Sequence, residues 1–207
     1  SVVCMGAGFS AGMGIAKSFE KEGVTGKVVF GVVGDSTFFH SGMTGAAEIV
    51  YNKGRMIPCV LDNRITGMTG HQDNPGTGYT LQGDPTALLS VEKILTALGF
   101  APVLTVDPQD LKAMKAAVDQ AVAALDAGQQ PAIVTRRPCL LIKRDKFRKG
   151  MCRVNADKCR SCRSCLKVGC PAISLENGKA VIDRTQCVGC TVCAQVCPFD
   201  AIEKEEK

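Results

Sequence analysis

A chain of 207 residues, 45% hydrophobic, with a formal net charge of +5 and 12 cysteines, has room for one or two domains. No apolar run approaches the roughly 20 residues of a bilayer span, which excludes a helical membrane protein. Between Arg136 and Arg153 eight Lys or Arg stand against the single acid Asp145, with Phe147 the only aromatic. Without interleaved stacking rings this is no nucleic-acid site; it reads as a basic connector or as a docking patch for an acidic electron carrier.

From the amino end, the apolar run Val2-Val3-Cys4-Met5 is expected to be a strand, so the domain starts inside its sheet and is expected to be incomplete there. Gly6-Ala7-Gly8-x3-Gly12 opens a predicted helix to Lys21. As a dinucleotide fingerprint it is degenerate, and close packing of a helix start on a sheet explains it as well as a cofactor-lining turn does. Lys27 to Gly34 is a continuous apolar run bounded by glycine, the pattern of a strand buried on both faces of a parallel sheet. Thr44 to Tyr51 predicts a helix, and Met56 to Leu61 a second buried strand. Residues 64–83, rich in Gly, Thr, Asn and Pro, predict a loop long enough to imply a role.

Asp84-Pro85 and Asp107-Pro108 look like caps of two further helices, ending at Gly99 and near Gly128. Strands are expected at Ala101–Val106 and Pro131–Thr135. The alternation predicts an α/β doubly wound parallel sheet.

In such sheets ligands sit beyond the carboxyl ends of the strands, where Asp35 and Asn63 both fall. A carboxylate and an amide oxygen suit Mg²⁺, and Gly34, Ser36 and Thr37 leave backbone N–H groups free for a diphosphate. A magnesium diphosphate is the expected ligand. His40 and His71, the only histidines, follow the same strand ends and are candidate proton-transfer or substrate-orienting groups, or loop histidines bonded to backbone. Cys4 lies near the first of these ends and is expected to be packing.

The last third changes character, with eight of the 12 cysteines between residues 159 and 197. Cys159-x2-Cys162-x2-Cys165-x4-Cys170-Pro is followed by Cys187-x2-Cys190-x2-Cys193-x3-Cys197-Pro. Tandem runs of this kind are the ligand pattern of a two-cluster ferredoxin, in which the fourth Cys of each run crosses to the other cluster. Cys159, Cys162, Cys165 and Cys197 are thus expected on one [4Fe–4S] cluster, and Cys187, Cys190, Cys193 and Cys170 on the other. Structural zinc and disulfides are the bland alternatives; neither explains two four-Cys runs that each close on Cys-Pro. The extra residue before Cys170 is expected to bulge at Val168-Gly169, and Cys152 is a spare thiol. The expected domains are residues 1–149 and a small α+β ferredoxin-like unit at 150–207. So many thiols, with no signal peptide, point to a reducing cytoplasm and an anaerobic setting.

Gly34-Asp35-Ser36 with Asp62-Asn63 resembles the Gly-Asp-Gly to Asn-Asn signature of thiamine diphosphate enzymes, with Ser36 and Asp62 departing from it. That likeness implies that Asp35, Asn63 and the carbonyl of Ile65 hold Mg²⁺. The longer string from Gly34 through Leu61-Asp-Asn63 to Met68-Thr-Gly-His71-Gln-Asp-Asn-Pro-Gly-Thr-Gly78 is similar to the alpha subunit of indolepyruvate ferredoxin oxidoreductase, over essentially the whole chain, as its C-terminal part.

The resemblance implies oxidative decarboxylation of an aryl 2-oxo acid, indole-3-pyruvate, with coenzyme A to the aryl-acetyl-CoA and CO2. Electrons would pass through two [4Fe–4S] clusters to an external ferredoxin. It also implies a beta subunit, and a further chain or segment carrying the aminopyrimidine-binding domain with the activating Glu. Another 2-oxo acid (pyruvate, 2-oxoglutarate or phenylglyoxylate) would keep every motif. A non-oxidative decarboxylase would not need the Cys runs, and an electron-transfer subunit without its own catalytic site would need only them.

Overall fold

The computed structural model describes residues 4–142 and 150–205. They form two compact units: residues 4–108 with 112–142, and residues 150–205 with 109–111.

The first unit is built on four parallel strands, β1 (Val29–Gly34), β2 (Met56–Asp62), β3 (Val103–Val106) and β4 (Ala132–Arg136), in the order β1-β2-β4-β3. Every residue of β2 but Leu61 is buried, as its continuous apolar run requires. Alternation along β2 then sorts the layers. Met56 and Val60 face a core with Phe9 and Met13 of α1 (Ala7–Lys21), and with Ala46 and Ile49 of the helix over Met43–Tyr51. Leu95 from the helix over Val91–Leu98 joins the same core. Ile57 and Cys59 face Ala121 and Leu125 of the helix over Leu111–Asp126. Helices thus cover both faces of a parallel sheet. Phe9, Phe38 and Phe100 are at most 1% exposed, each burial contributing about 1.5–3 kcal/mol.

The Gly-rich start of α1 is a packing device. A Cβ on Gly8 would lie 2.4 Å from the Val32 carbonyl oxygen, so only glycine lets the helix approach β1 this closely. Of the Val2–Met5 run, the first two residues lie outside the described residues; Cys4 and Met5 form a bend and turn, not a strand, and both are exposed. Cys4 is therefore not core packing.

The helix expected from Thr44 begins earlier. α2 (Asp35–Thr37) runs into a π-helical segment, Phe38–Gly42, and on into α3 (Met43–Tyr51). His40 sits on that segment and not in a loop. Two predicted caps fail. α4 (Val91–Leu98) starts seven residues after Asp84, capped by Ser90, whose hydroxyl accepts from Lys93 N–H at 3.2 Å. Residues 84–90 are held extended instead: Tyr79 bridges to Pro85, and Leu89 N–H reaches the Pro75 carbonyl. Likewise α5 (Leu111–Asp126) starts after Pro108, because the Asp107 carboxylate is engaged by Arg137 at 2.9 Å. The Gly99 stop stands, at φ 104.

The second unit pairs β5 (Met151–Val154) with β8 (Ile202–Glu205), antiparallel, and closes a hairpin of β6 (Ile173–Glu176) and β7 (Lys179–Ile182). Asn177-Gly178, both at positive φ, make the hairpin turn. α6 (Val192–Gln195) and a 3-10 turn, Ser164–Val168, follow the two Cys-rich turns. The core here is itself thiol-rich: Cys152, Cys159, Cys165 and Cys193 pack with Ile173, Ala180, Ala201 and Ile202. The middle of the basic stretch, residues 143–149, lies outside the described residues.

Candidate cofactor sites

Parallel pairing of β1 with β2 aligns Gly34 with Leu61, so Asp35 and Asp62 leave adjacent strand ends at the same level. Asp35 is 2% exposed. Burial pushes its carboxyl above the usual carboxylate range; N–H of Ser36, the Asn74 amide and N–H of Arg64 pull against that, and the negative charge of Asp62 adds to it. Ser36 N–H donates to Asp35 Oδ1 at 2.8 Å, and Asn74 Nδ2 donates to Asp35 Oδ2 at 3.3 Å. A carboxylate desolvated this far is one prepared for a cation.

Asn63 is exposed just past β2, with its Oδ1 accepting from Ile65 N–H at 3.1 Å and its carbonyl accepting from Cys139 N–H. Arg64 takes a left-handed turn (φ 61) that aims its guanidinium at the Gly76 carbonyl, 2.6 Å away. Gly34 ends β1 and stands at the cap of α2, in which Ser36 and Thr37 follow Asp35. His40 lies on a cleft of about 460 Å³ with Ser36, Phe39, Thr66, Asp73, Asn74 and Tyr79. His71 is exposed in the long loop at φ 65, and its N–H bonds to the Thr66 carbonyl.

Two residues that sequence reasoning passed over complete this end of the sheet. Asn74 joins the long loop to Asp35, which answers why that loop is long. Arg136 holds the buried Asp62 at 2.8 Å and Glu92 at 2.5 Å. Burial works against Glu92's charge, but the Ser90 hydroxyl and Arg136 outweigh it and hold its carboxyl below the ordinary range.

In the second unit Cys159, Cys162, Cys165 and Cys197 line one pocket, walled by Val154, Leu175, Ala180, Phe199 and Ile202. The crossing of Cys197 to the first run is therefore present in the fold. N–H of Ala180 and of Ser161 lower the Cys159 thiol, and the Ser164 hydroxyl and N–H lower that of Cys162. Burial raises Cys165. Ala201 N–H donates to Cys197 Sγ at 3.4 Å.

The two runs share their backbone. Ser161 and Arg163 of the first take positive φ, and so do Gly189 and Thr191 at the matching places of the second. Left-handed turns at non-glycine residues cost roughly 1–2 kcal/mol each, and here they turn N–H groups toward sulfur. Among the described residues no group of three or more His, Cys, Asp or Glu could hold a single metal ion. Thiols spread around an apolar pocket fit a cuboidal cluster and argue against zinc.

At the other run Cys187, Cys190 and Cys193 stand close together. Burial, with Cys152 as neighbour, pushes Cys193 up to about 12. Cys170 is half-buried against the same core, after Gly169 at φ 69, the bulge expected from the longer spacing.

A fold with a desolvated aspartate at the carboxyl end of a parallel sheet, followed by a thiol-lined iron–sulfur module, defines a cofactor-dependent electron-transfer class. Residues 1–135 match the thiamine pyrophosphate enzyme C-terminal TPP binding domain, and residues 180–203 match a 4Fe-4S binding domain. The chain belongs to the thiamine pyrophosphate enzyme family.

It is 40% identical over 198 residues to indolepyruvate oxidoreductase subunit IorA of Pyrococcus abyssi, covering 92% of this chain and 30% of that one. The same subunit of Thermococcus kodakarensis is 39% identical over 219 residues, covering 98% and 33%. The chain thus spans about a third of the length of the curated relatives it matches. Taken with the two domain models, these matches support the resemblance to the C-terminal part of that subunit. The 2-oxoglutarate:ferredoxin oxidoreductase of Magnetococcus marinus, solved with 2-oxoglutarate, coenzyme A and succinyl-CoA bound, shares the fold. It is 17% identical, with a TM-score of 0.51, covering 65% of this chain and 45% of that one.

Proposed function

We propose that this chain is the thiamine diphosphate-binding and electron-exporting part of a 2-oxoacid:ferredoxin oxidoreductase that converts indole-3-pyruvate and coenzyme A to the aryl-acetyl-CoA and CO2. The observation that carries the reading is the desolvated Asp35 at a strand end, on the same polypeptide as a four-thiol apolar pocket. The names of the IorA relatives support the aryl substrate.

When bound, thiamine diphosphate supplies the nucleophilic carbon for decarboxylating a 2-oxo acid, and the clusters accept electrons singly. Asp35, Asn63 and the Ile65 carbonyl would hold Mg²⁺, and the N–H groups at Gly34 and Thr37 would take diphosphate oxygens, with that of Ser36 joining them only on leaving Asp35 Oδ1. The chain's own groups prepare that site: Asn74 orients the Asp35 carboxylate, and Arg136 neutralises Asp62, leaving Asp35 as the unpaired acid. His40, which lines the cleft with Tyr79 and Asp73, would hold or deliver a proton to a substrate oxygen; His71 is the second candidate. Cys159, Cys162, Cys165 and Cys197 would hold one cluster, and Cys187, Cys190 and Cys193 with Cys170 the other. A beta subunit, and a chain or segment gripping the aminopyrimidine, complete the enzyme, which passes electrons to ferredoxin in an anaerobic cytoplasm.

The test is an anoxic assay of the assembled complex with ferredoxin and coenzyme A. Reduction should be fastest with indole-3-pyruvate and should require thiamine diphosphate and Mg²⁺. Equal or faster reduction with pyruvate, 2-oxoglutarate or phenylglyoxylate overturns the aryl assignment, and no reduction with any 2-oxo acid overturns the whole reading.

A further inference from the structure

The second Cys-rich run has a neighbour that its motif does not include. Cys152 is the second residue of β5, 2% exposed, on a strand zipped to β8 through Cys152↔Lys204. Its N–H donates to Cys187 Sγ at 3.3 Å. Its side chain packs in the same core cluster as Cys193, with Cys187 against it. A buried thiol that merely filled space would need one apolar neighbour; this one packs with two residues whose sulfurs are expected to carry iron, from a strand whose pairing fixes its position.

We propose that Cys152 is a reserve iron ligand of the second cluster, able to hold the iron that Cys187 normally binds. The inference rests on reading this site as a [4Fe–4S] centre. In the exchange the Fe–S bond to Cys187 is absent or broken, the Cys152 thiol releases its proton to solvent, and its sulfur forms the new Fe–S bond. No electron is transferred. Several features of the strand favour the substitution. The thiol already packs beside the residue it would replace, whose sulfur its own N–H holds. It is shielded from bulk water and oxidant, so it stays available as a thiol. Being rooted in a sheet, it loses little conformational freedom on binding. A residue in a mobile loop would have none of these advantages.

The test uses the complete subunit with its partner chains, purified without oxygen. Wild type, Cys152→Ala, Cys187→Ala and Cys187→Ala/Cys152→Ala are compared by iron content and by the electron paramagnetic resonance of the reduced protein. The expected result is full iron in wild type, Cys152→Ala and Cys187→Ala, with an altered second-cluster signal in Cys187→Ala. The double variant should lose about half its iron. Cys187→Ser, with and without Cys152→Ala, repeats the comparison with a smaller change of shape. If Cys187→Ala and Cys187→Ser lose half their iron, or fail to accumulate, whether or not Cys152 is present, the proposal is overturned. Wild type devoid of iron would instead remove the iron–sulfur reading itself, so the two failures are distinguishable.

Discussion

Asp62 and Arg136 are register partners across the β2–β4 ladder, and Arg136 Nε donates to Asp62 Oδ2 at 2.8 Å. Asp62 is 4% exposed, so its charge depends on that partner and on Arg64 at 3.4 Å. Arg136→Met should destabilise the chain by up to about 3 kcal/mol, the low end of the usual cost of leaving a buried charge without its counter-ion, because Arg64 stays within reach. Adding Asp62→Asn should recover much of the loss. Urea unfolding of the four proteins measures both effects, and a double variant no more stable than Arg136→Met would refute the account.

Asp35 predicts a conflict between stability and binding. Its folded-state carboxyl is raised, by burial first. The stabilisation that goes with its neutral form is whole below the ordinary carboxylate range and is lost as pH rises through the folded value. At pH 7 and without metal, Asp35→Asn should therefore be more stable than wild type, with the gap closing in acid. The same variant should lose the thermal stabilisation that Mg²⁺ and thiamine diphosphate confer on wild type in the complex. Thermal melts in chelator across pH measure the first effect; an Asn variant less stable at pH 7 contradicts it.

Ser90, and not Asp84, caps α4. Ser90→Ala should cost about 1 kcal/mol, and Asp84→Ala less than about 0.5 kcal/mol. Chemical denaturation of the two variants decides it, and equal losses would mean the cap is misassigned.

Cys197 belongs to the first run's pocket although it ends the second run. Cys197→Ala should leave the first cluster short of a ligand, giving a three-iron signal or a loss of about half the iron. Anoxic iron analysis with electron paramagnetic resonance checks this. Unchanged iron and spectra would show that Cys197 is no ligand.

What was legible in the sequence follows what is local. β2 and β4 are buried on both faces over nearly their whole length, so each writes an unbroken apolar run. β1 writes one too, but Phe30 and Val32 stand exposed on one of its faces, so the two-sided burial expected of it is not met. The carboxyl ends of β1 and β2 carry Asp35 and Asn63 in plain view. The cysteine spacing named the pocket at Cys159, Cys162, Cys165 and Cys197 because a turn of that length is nearly its own structure. The two Asp-Pro caps failed because other parts of the chain outbid a local preference: Pro75 and Tyr79 hold residues 85–89 extended, and Arg137 engages Asp107. Asn74 and Arg136 act on carboxylates 39 and 74 residues away, and no periodicity carries such a pairing. Cys152 was noticed only as a leftover thiol, since nothing short of the fold places it beside Cys187.

Cys197, the last cysteine of the second run, closes the first run's pocket and so sets an order of events. Cys159, Cys162 and Cys165 are joined to the chain before Cys187, Cys190 and Cys193, and only then does their fourth companion follow. The first pocket stays unfinished until the second run has been made, which couples the completion of one thiol pocket to the synthesis of the other run.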